Sequence, residues 1–489
     1  MQFVKVVIVG GGAAGLGAAK TLGLDVDYLL IEAQNYLGGR ICTVDAAPNV
    51  TVDLGAQFIH GKVNNIVYEI CEKLNCIMFN KEKTKALVLK SDRTELDCEL
   101  MEKAILVWEE LLDEAAAKFN EKQHPKQHSV SDYLSEHFKE RLIASISCSN
   151  HIIDALIDYF DKLELIENGC LTLSDLSLTE YGSFEYLDGD SGYEMLNGGY
   201  RPFISYMKSF LTDEKRIHLN SEVIQVKYLK EDHQLQIDIR DLSQTSPNEI
   251  TTIRCDHIIW TSSLGHLKEN FFSIFANEKE LIEQKRDAIE NLGFDTVNKV
   301  ILIYEKRFWP ENVKEIIVLH TEKQPIIDLS NLLKELLDST NIDVQTIRII
   351  IEGIHRYDIL PSTDTPILLC WFGGQSAVLV ENFSEKVIGQ ICHEVLCYHL
   401  TISSKLNPII NILKSGWHTN RFIRGSYSYY STKSSTQHGE LLRAPYAPDG
   451  IPRIQFAGEA THEKFYSTVH GALESGIRES TKLLSYINK

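Results

Sequence analysis

A glycine-rich turn between an apolar strand and a helix near the N-terminus is the feature that most constrains this chain. Residues 3–9 are apolar and rich in valine, which predicts a buried parallel strand. Gly10, Gly12 and Gly15 follow with GxGxxG spacing and lead into an alanine-rich helix predicted over 13–22. In this motif the first glycine makes a tight turn, the second lets the backbone approach a pyrophosphate, and the third lets the helix pack close to the strand.

The residues after this turn complete a β-α-β unit. A second strand, predicted over 27–31, is followed by Glu32, which lies 17 residues after Gly15 and can accept hydrogen bonds from both hydroxyls of a ribose. The helix that begins near Ala13 directs free N–H groups and the positive end of its dipole toward the phosphates. The unit therefore predicts a dinucleotide site, but it does not separate NAD from FAD.

Length, charge and cysteine content bound the remaining possibilities. A chain of 489 residues is too long for one core, so we expect two or three domains. The formal net charge of −19 argues against nucleic-acid binding by bulk charge and favours a cationic ligand. The ten cysteines include two pairs with four residues between them, Cys71/Cys76 and Cys392/Cys397. They form no CxxC pair and no histidine cluster completes a metal set, so we expect reduced thiols and no metal site.

The periodicity of apolar residues predicts helical and strand-rich regions. Helical spacing dominates from 64 to 180, and the mixed segment 311–365 is a candidate insertion. Further strands are predicted at 222–229, 234–241, 257–262, 297–305, 366–373 and 454–461, and helices at 329–337, at 384–400 and from 471 onward. The chain has no internal repeat and no low-complexity linker. We therefore expect interleaved domains, with dinucleotide-binding segments at both ends.

Several segments beyond the first unit resemble those of the flavin-containing amine oxidases. A second glycine turn lies at 38–40, 53–56 matches the segment that follows it in that family, and 456–461 resembles the family's closing flavin strand. The run 467–476 resembles its final helix, so the resemblance covers nearly the whole chain. It implies that FAD is bound by Gly10, Gly12, Ala14, Gly15, Glu32, Gly39, Arg40, Gly55, Ala56, Val223, Trp417, Tyr427, Gly458, Glu459, Thr468 and Val469.

The resemblance also implies a fold class and a state of the cofactor. We expect an α/β protein in which a Rossmann-like FAD-binding domain is interleaved with an α+β substrate-binding domain, the amine oxidase fold. The predicted FAD-binding domain comprises 1–75, 197–270 and 410–489, and the substrate-binding domain comprises 76–196 and 271–409. Some relatives attach the flavin through a cysteine in the C-terminal segment. The last cysteine here is Cys397, before that segment, so we expect non-covalent FAD.

Two basic residues are predicted at the reacting end of the cofactor. Lys299 lies in an otherwise apolar strand, where a lysine more often extends to the surface. The matching lysine of the family holds a water near flavin N5, so the resemblance implies a catalytic role. His60 would more often be a core residue, but its segment resembles that of animal spermine and N1-acetylpolyamine oxidases, which place a histidine near the substrate amine. Plant polyamine oxidases tend to carry an acid instead.

The same resemblance implies three further residues at the substrate site. Asp175 and Ser177 match positions that contact the distal nitrogen of the substrate in spermine oxidases. The family usually has a glutamate at the first position, and the shorter aspartate leaves the contact length open. Thr468 stands where plant enzymes carry a tyrosine, which again is the animal pattern.

These features predict an FAD-dependent polyamine oxidase of the spermine oxidase type, with oxygen as acceptor and hydrogen peroxide as product. The sequence does not separate spermine from an N1-acetylated polyamine as substrate. An L-amino-acid oxidase would need an arginine clamp for a carboxylate, and no matched position supplies one. The histone-demethylase branch carries a helical insertion and an extra domain not seen here, and a non-catalytic flavoprotein would not need Lys299.

The sequence also predicts the surroundings in which the protein works. Lys5 and the glycines from Gly10 interrupt the opening apolar run, so it does not fit a signal peptide, and no apolar stretch is long enough to span a bilayer. Residues 486–489 are not a peroxisomal signal. We therefore expect a cytoplasmic protein, with the nucleus as an alternative. We expect it to act as a monomer on a small polyamine and O2, without nucleic-acid or membrane partners.

Overall fold

The computed structural model describes most of the chain. The described residues are 2–77, 85–121, 129–189, 193–194, 198–243, 250–336, 342–361 and 365–487. Parts of the region predicted to be helical (78–84 and 122–128), the last residue of the helix predicted over 329–337, and residues 488–489 lie outside these ranges.

The bounds of the regular elements are as follows. The strands are β1 Gln2–Val9, β2 Tyr28–Ile31, β3 Thr43–Ala47, β4 Val50–Asp53, β5 Phe58–Ile59, β6 Lys85–Lys90, β7 Tyr193–Glu194, β8 Ile217–His218, β9 Ser221–Leu229, β10 Gln234–Asp241, β11 Ile250–Trp260, β12 Gly293–Asp295, β13 Asn298–Tyr304, β14 Val313–Leu319, β15 Arg356–Leu360, β16 Ile367–Phe372, β17 Ile409–Lys414, β18 Tyr427–Tyr429 and β19 Ile454–Phe456. The α-helices are α1 Ala13–Leu22, α2 Ile66–Lys73, α3 Cys98–Glu121, α4 Val130–Ser145, α5 Asn150–Asn168, α6 Arg201–Lys208, α7 Leu264–Ile274, α8 Lys279–Asn291, α9 Lys323–Leu336, α10 Val344–Gly353, α11 Gly374–Leu379, α12 Glu385–Leu400, α13 Thr436–Arg443 and α14 Val469–Ile487.

A seven-stranded sheet brings the first and last strands of the chain together. Its order is β8-β2-β1-β11-β10-β9, and β19 pairs with β11. Strand β1 runs parallel to both β2 and β11, with Val9 paired to Ile31 on one side and to Trp260 on the other. Trp260 also pairs with Phe456 of β19. Strand β8 is also parallel to β2, so the carboxyl ends of five parallel strands meet at one edge of the sheet, which is where open α/β sheets bind ligands.

A six-stranded sheet carries the other half of the core. Its order is β17-β13-β16-β15-β14-β6. Every residue of β13 is buried, because that strand lies between β16 and β17 and both faces are covered. The lysine predicted from sequence, Lys299, is part of this strand and pairs with Trp371 of β16.

Two sequence predictions are wrong in this second sheet. The region predicted to be helical contains β6, a short apolar run of six residues that periodicity alone does not distinguish from buried helix. Its pairing with β14, far along the chain, supplies the backbone partners that make it a strand. Since β14 and β15 are also inner strands of this sheet, the segment 311–365 is not an insertion as a whole. Of its described regular elements, the helices α9 and α10 lie outside the sheet.

Contact between α1 and α14 locks the two chain ends together. A methyl group placed on Gly476 would lie 1.9 Å from the carbonyl oxygen of Ala14, and one on Gly17 would lie 2.8 Å from the carbonyl oxygen of Leu473. The helices can therefore cross this closely only because both positions lack a side chain. The last helix of the chain is held directly behind the first glycine-rich turn.

None of the described helices combines the length and the apolar character that crossing a bilayer would require.

Candidate functional site

One cavity of about 650 Å³ joins the two ends of the chain. It opens at the carboxyl edge of the seven-stranded sheet and continues to β13 of the second sheet. The residues predicted from sequence that line it are Gly10, Gly12, Ala14, Glu32, Gly39, Arg40, Gly55, Ala56, His60, Ser177, Val223, Lys299, Trp417, Tyr427, Gly458, Glu459, Thr468 and Val469. Gly15 and Asp175 are not among the lining residues.

The first turn of α1 is built to receive an anion. Gly12 is the N-cap of this helix and offers no side chain to cap it, so the first N–H groups are left for a ligand. A methyl group on Gly12 would lie 3.9 Å from the nearest protein atom, the carbonyl oxygen of Gly38. The space above this glycine is therefore a cradle that a side chain would fill, as a bound pyrophosphate requires.

Gly15 has a different function from Gly12. A methyl group on Gly15 would lie 1.9 Å from the carbonyl oxygen of Gly10, so this glycine permits the helix to pack against the turn. It contributes to the site by shaping the backbone and does not line the cavity. This agrees with the structural role that the motif assigns to its third glycine.

Glu32 is held at the end of β2 by two backbone donors. Its carboxylate accepts hydrogen bonds from the N–H groups of Gly11 at 2.6 Å and Gln34 at 2.7 Å. The residue is buried, which raises its pKa, while the two hydrogen bonds act in the opposite direction. A carboxylate offers about four lone-pair sites, more than these two hydrogen bonds use, which suits it to accept the hydroxyls of a ribose.

The second glycine turn and the closing strand are connected by one buried carboxylate. Glu459 accepts hydrogen bonds from Arg40 at 2.9 Å, from the hydroxyl of Ser428 at 2.6 Å and from the N–H of Ser467 at 2.8 Å. The N–H of Gly458 donates to the hydroxyl of Ser475 at 2.8 Å, so this N–H is already engaged within the protein. The Glu459 side chain therefore organises the wall of the cavity from the C-terminal segment.

His266 is a lining residue that sequence reasoning missed. It lies in the first turn of α7, lines the same cavity as Val223, and is buried. Burial lowers its pKa to about 4, so the ring is neutral at pH 7. Its Nδ1 has no hydrogen-bond partner in the described structure, which is unusual for a buried nitrogen and fits a polar group of a bound nucleotide. No motif surrounds this histidine, so only the folded structure identifies it.

Lys299 reaches the cavity from the middle of the second sheet. Its Nζ donates to the carbonyl oxygens of Asp53 at 2.9 Å and Gly55 at 2.7 Å, and to Oε1 of Gln57 at 2.8 Å. The same ammonium lies 4.5 Å from the ring centroid of Trp371. This lysine is therefore buried against polar acceptors and an aromatic face, and it does not extend to the surface.

Three of the aromatic side chains that line the cavity come from β16, from the segment after β17 and from β18. Trp417 and Tyr427 line it as the sequence predicted, and the Tyr427 hydroxyl donates to the carbonyl oxygen of Ile166. Trp371 lines it as well, although sequence reasoning did not assign it to the site. Its position follows from its cross-strand pairing with Lys299, and that pairing is visible only when the strands are in register.

His60 lies beside a carboxylate that the sequence did not reveal. Burial lowers the pKa of His60 below its ordinary value, and the nearby negative charge of Glu167 acts in the opposite direction. Glu167 lies near the end of α5 and lines the same cavity. A cationic ligand at His60 would therefore meet a carboxylate within the wall.

The three further residues predicted at the substrate site have different positions. Ser177 is buried in the cavity wall, and its hydroxyl accepts a hydrogen bond from the N–H of Glu180 at 3.4 Å. Thr468 also lines the cavity, but its hydroxyl is used to begin α14, since it accepts from the N–H of Gly471 at 3.0 Å. Asp175 is exposed, and its carboxylate accepts a hydrogen bond from Thr172 at 3.1 Å. The structure does not bring Asp175 to the cavity.

Carboxylates and aromatic rings form the outer wall of the cavity. Phe184 contacts Tyr186 and Tyr466 edge-on, with ring centroids 4.9 Å and 5.5 Å apart. The acidic residues that line this part of the cavity are Glu109, Asp113, Glu167 and Glu180. Acidic groups and π faces both attract organic cations, so this wall suits an extended ligand that carries several positive charges.

Comparison with known proteins identifies the family. The profile of the family described as "Flavin containing amine oxidoreductase" matches residues 13–484. The chain belongs to this family. It is 27% identical to the human peroxisomal N(1)-acetyl-spermine/spermidine oxidase, with 98% of this chain and 95% of that protein covered. It is 26% identical to the bovine protein of the same name, with coverages of 98% and 94%.

Among solved structures, the fold resembles that of a putrescine oxidase carrying two substitutions made to redesign cofactor binding. The TM-score is 0.67 and the identity is 16%, with 99% of both chains covered. The likeness confirms the predicted amine oxidase fold, and the two mammalian relatives confirm the predicted polyamine oxidase branch. The boundaries of the two predicted domains stay a prediction.

The protein is an FAD-dependent amine oxidoreductase. The dinucleotide part of FAD fits three features of the site: the uncapped first turn of α1, the space above Gly12 and the buried Glu32. The unpartnered nitrogen of His266 offers one further polar contact. No cysteine is found among the described lining residues, which agrees with non-covalent binding. Within the described ranges, no cluster of three or more histidine, cysteine or acidic residues could hold a metal ion.

The two glycines of the first turn lead to a testable contrast. We expect Gly12→Ala to fold normally but to lose FAD affinity by at least about tenfold, because the new methyl group takes space from the pyrophosphate. We expect Gly15→Ala to destabilise the fold by about 2 kcal/mol or more, because the methyl group collides with the Gly10 carbonyl. Flavin absorbance after gel filtration measures the first effect and urea unfolding of the apoprotein the second. If Gly12→Ala retained a full complement of flavin, the assignment of the cradle would be wrong.

Proposed function

We propose that this enzyme oxidises polyamines at a carbon beside a secondary nitrogen, with spermine and N1-acetylspermine as candidate substrates. The observation that carries the proposal is the charge of the cavity wall beyond His60. Its acidic residues can face the ligand, whereas the arginines among the described lining residues, Arg40 and Arg356, already have partners. This wall favours a cation over an anion.

The state of both arginines argues against an L-amino-acid substrate. Arg40 donates to Glu459 and to the carbonyl oxygen of Ser426 at 2.7 Å. Arg356 is ion-paired with Asp358 at 2.8 Å and lies 3.9 Å from Glu315. At either arginine a substrate carboxylate would lie beside a carboxylate that the arginine already pairs with, and the repulsion between the two negative charges disfavours its binding.

His60 and Glu167 are proposed to receive the reacting part of the substrate. Because the pKa of His60 is lowered, its ring is neutral at pH 7 and can accept a proton or a hydrogen bond from the amine. Glu167 supplies the negative charge that holds a second ammonium group nearby. Ser177 in the same wall is proposed as a polar contact for the distal nitrogen.

FAD supplies the acceptor for the hydride, while the protein positions the amine and controls its proton. Lys299 is proposed to support the chemistry at the flavin through a water. Its three N–H donors are all engaged with Asp53, Gly55 and Gln57, so the lysine must exchange one bond to hold that water. The side chain of Gln57 is the acceptor most free to move, since the other two are backbone carbonyls.

The complete proposed reaction produces an imine, which water cleaves to a shorter amine and an aminoaldehyde. Oxygen is proposed as the final electron acceptor, with hydrogen peroxide as the product. We also propose that the protein acts as a monomer in the cytoplasm. The human relative is named peroxisomal, so the compartment of this chain needs its own measurement by microscopy of the tagged protein.

The substrate class can be tested by anaerobic bleaching of the flavin. We expect spermine or N1-acetylspermine to bleach it within the mixing time of a manual assay, because the acidic cavity concentrates and aligns them. The ratio of the two rates decides between the free and the acetylated substrate. L-leucine and L-phenylalanine serve as controls and should leave the flavin oxidised. Rapid bleaching by an amino acid with none by any polyamine would refute the proposal.

The proposed role of Glu167 in substrate binding can be tested with an exposed glutamate outside the cavity as the control. We expect Glu167→Gln to raise KM for a polyamine about fivefold with little change in kcat, because an ion pair in a solvated wall contributes roughly 1 kcal/mol. The matched control is Glu110→Gln on α3, which is exposed and does not line the cavity. Steady-state kinetics at fixed ionic strength measures both variants. Equal KM values for the two would exclude Glu167 from substrate binding.

The pH dependence follows from which group titrates. Because burial lowers the pKa of His60, the ring is already neutral at pH 7 and contributes no ionisation between pH 7 and 10. The substrate amine must be deprotonated before it releases a hydride, so kcat/KM should rise about tenfold per pH unit below the amine pKa. His60→Gln should lower the rate and keep this alkaline rise. A flat anaerobic reduction rate from pH 6 to 10 would contradict the mechanism.

A further inference from the structure

The C-terminus of α2 places two cysteines against each other. Asn75 has a positive φ of 53°, its N–H donates to the carbonyl oxygen of Glu72 at 3.0 Å, and the N–H of Cys76 donates to that of Cys71 at 3.1 Å. These are the two hydrogen bonds of a Schellman motif, in which the side chains corresponding to Cys71 and Cys76 normally form an apolar contact. In this chain both members of that contact are thiols.

The environment of the pair makes one sulfur the better nucleophile. Both residues are buried, and the Cys76 thiol lies 3.4 Å from the carbonyl oxygen of Cys71. A hydrogen bond between the thiols raises the pKa of Cys71 and lowers that of Cys76. Cys76 is therefore the sulfur that ionises first, and Cys71 is placed to react with it afterwards.

A single tyrosine connects this pair to the proposed active site. Tyr200 is fully buried in the same core cluster; burial raises its pKa well above the ordinary value, and the two nearby thiols add to this effect. Its hydroxyl donates to the carbonyl oxygen of Phe58 at 2.9 Å, and its N–H donates to the carboxylate of Asp53 at 3.2 Å. Phe58 precedes His60 by two residues, and the carbonyl of Asp53 is an acceptor for Lys299.

We propose that Cys71 and Cys76 form a redox-active dithiol that a peroxide converts to a disulfide, and that this lowers the rate of amine oxidation. The Cys76 thiolate attacks one peroxide oxygen, so that an S–O bond forms, the O–O bond breaks and the leaving hydroxide takes up a proton to become water. Cys71 then attacks the sulfur of this sulfenic acid, an S–S bond forms, and the second oxygen leaves as water. The two thiols lose two protons and two electrons, and one peroxide is reduced to two waters.

The expected effect on activity follows from distances. A disulfide holds its sulfurs about 2.05 Å apart, which is well inside the contact distance of two thiols. Formation of the disulfide requires the end of α2 to move, which disturbs the packing around Tyr200. Because Tyr200 is hydrogen-bonded to Asp53 and Phe58, the segment that holds Lys299 and carries His60 shifts as well. Displacements of this kind at a reacting centre reduce rates steeply, so we expect kcat to fall by about tenfold.

This inference rests on the proposed function in one respect: amine oxidation would release the peroxide that oxidises Cys71 and Cys76. Added hydrogen peroxide replaces that source, so the dithiol can be tested even if no polyamine proves to be a substrate. Conversely, a protein that turns over polyamines but forms no disulfide would disprove the dithiol alone.

The sequence allows the disulfide to be detected directly. Lys73 lies between the two cysteines, so trypsin separates them into peptides 63–73 and 74–81. After the holoenzyme is treated with hydrogen peroxide and digested without reductant, we expect these two peptides to appear as one cross-linked species. Dithiothreitol should release them and restore activity. Two separate peptides with free thiols after treatment would overturn the proposal.

Variants link the chemistry to the loss of activity. Cys76→Ala should retain basal activity and resist peroxide. The matched control is Cys392→Ala, which removes one member of the buried pair Cys370/Cys392 in another core cluster and should leave peroxide sensitivity intact.

Cys42 is half-buried near Asp53 and is the competing target of the peroxide. Loss of sensitivity in Cys42→Ala, with sensitivity kept in Cys76→Ala, would assign the effect to Cys42 and refute the dithiol. If Cys76→Ala did not fold, the cross-linked peptide of the unaltered protein would still decide.

Discussion

The pairing of β11 with strands from both ends of the chain is the constraint on which this structure depends. β1 lies on one side of β11 and β19 on the other, so that residues far apart in sequence share one edge of a sheet. The close crossing of α1 and α14, which Gly17 and Gly476 permit, provides a second contact between the N-terminal and C-terminal segments. The dinucleotide groove therefore depends on contacts between segments far apart in sequence, although each of its walls contains a short local motif.

Lys299 connects this groove to the second sheet. Its backbone belongs to the buried strand β13, while its ammonium is held by the loop that follows β4. The Lys299 side chain thus connects the six-stranded sheet to the segment after β4, which lines the cavity. A buried cation in such a place needs several acceptors, and the three that it has also set the path of the segment leading to His60. The three hydrogen bonds therefore tie the segment after β4 to the second sheet.

Local chemistry explains what the sequence predicted well. The helix over 13–22 follows from spacing that acts within one β-α-β unit and is confirmed, and Gly12 and Glu32, predicted from the same unit, line the cavity. Glu167 and Trp371 could not be found in this way, because one is an ordinary carboxylate at the end of a helix and the other depends on strand register. Asp175 was predicted from resemblance alone. Its turn presents the side chain to solvent, next to Thr172, and away from the cavity.

The order in which the chain is made has a consequence for how the enzyme matures. Because β19 and α14 follow β11 far along the chain, β11 leaves the ribosome with part of one edge unpaired, and the groove lacks one wall until these two segments have been made. An unpaired edge strand is a template for association with other chains. Until then the nascent polypeptide exposes part of an edge of its central sheet to other chains and lacks the C-terminal wall of its flavin groove.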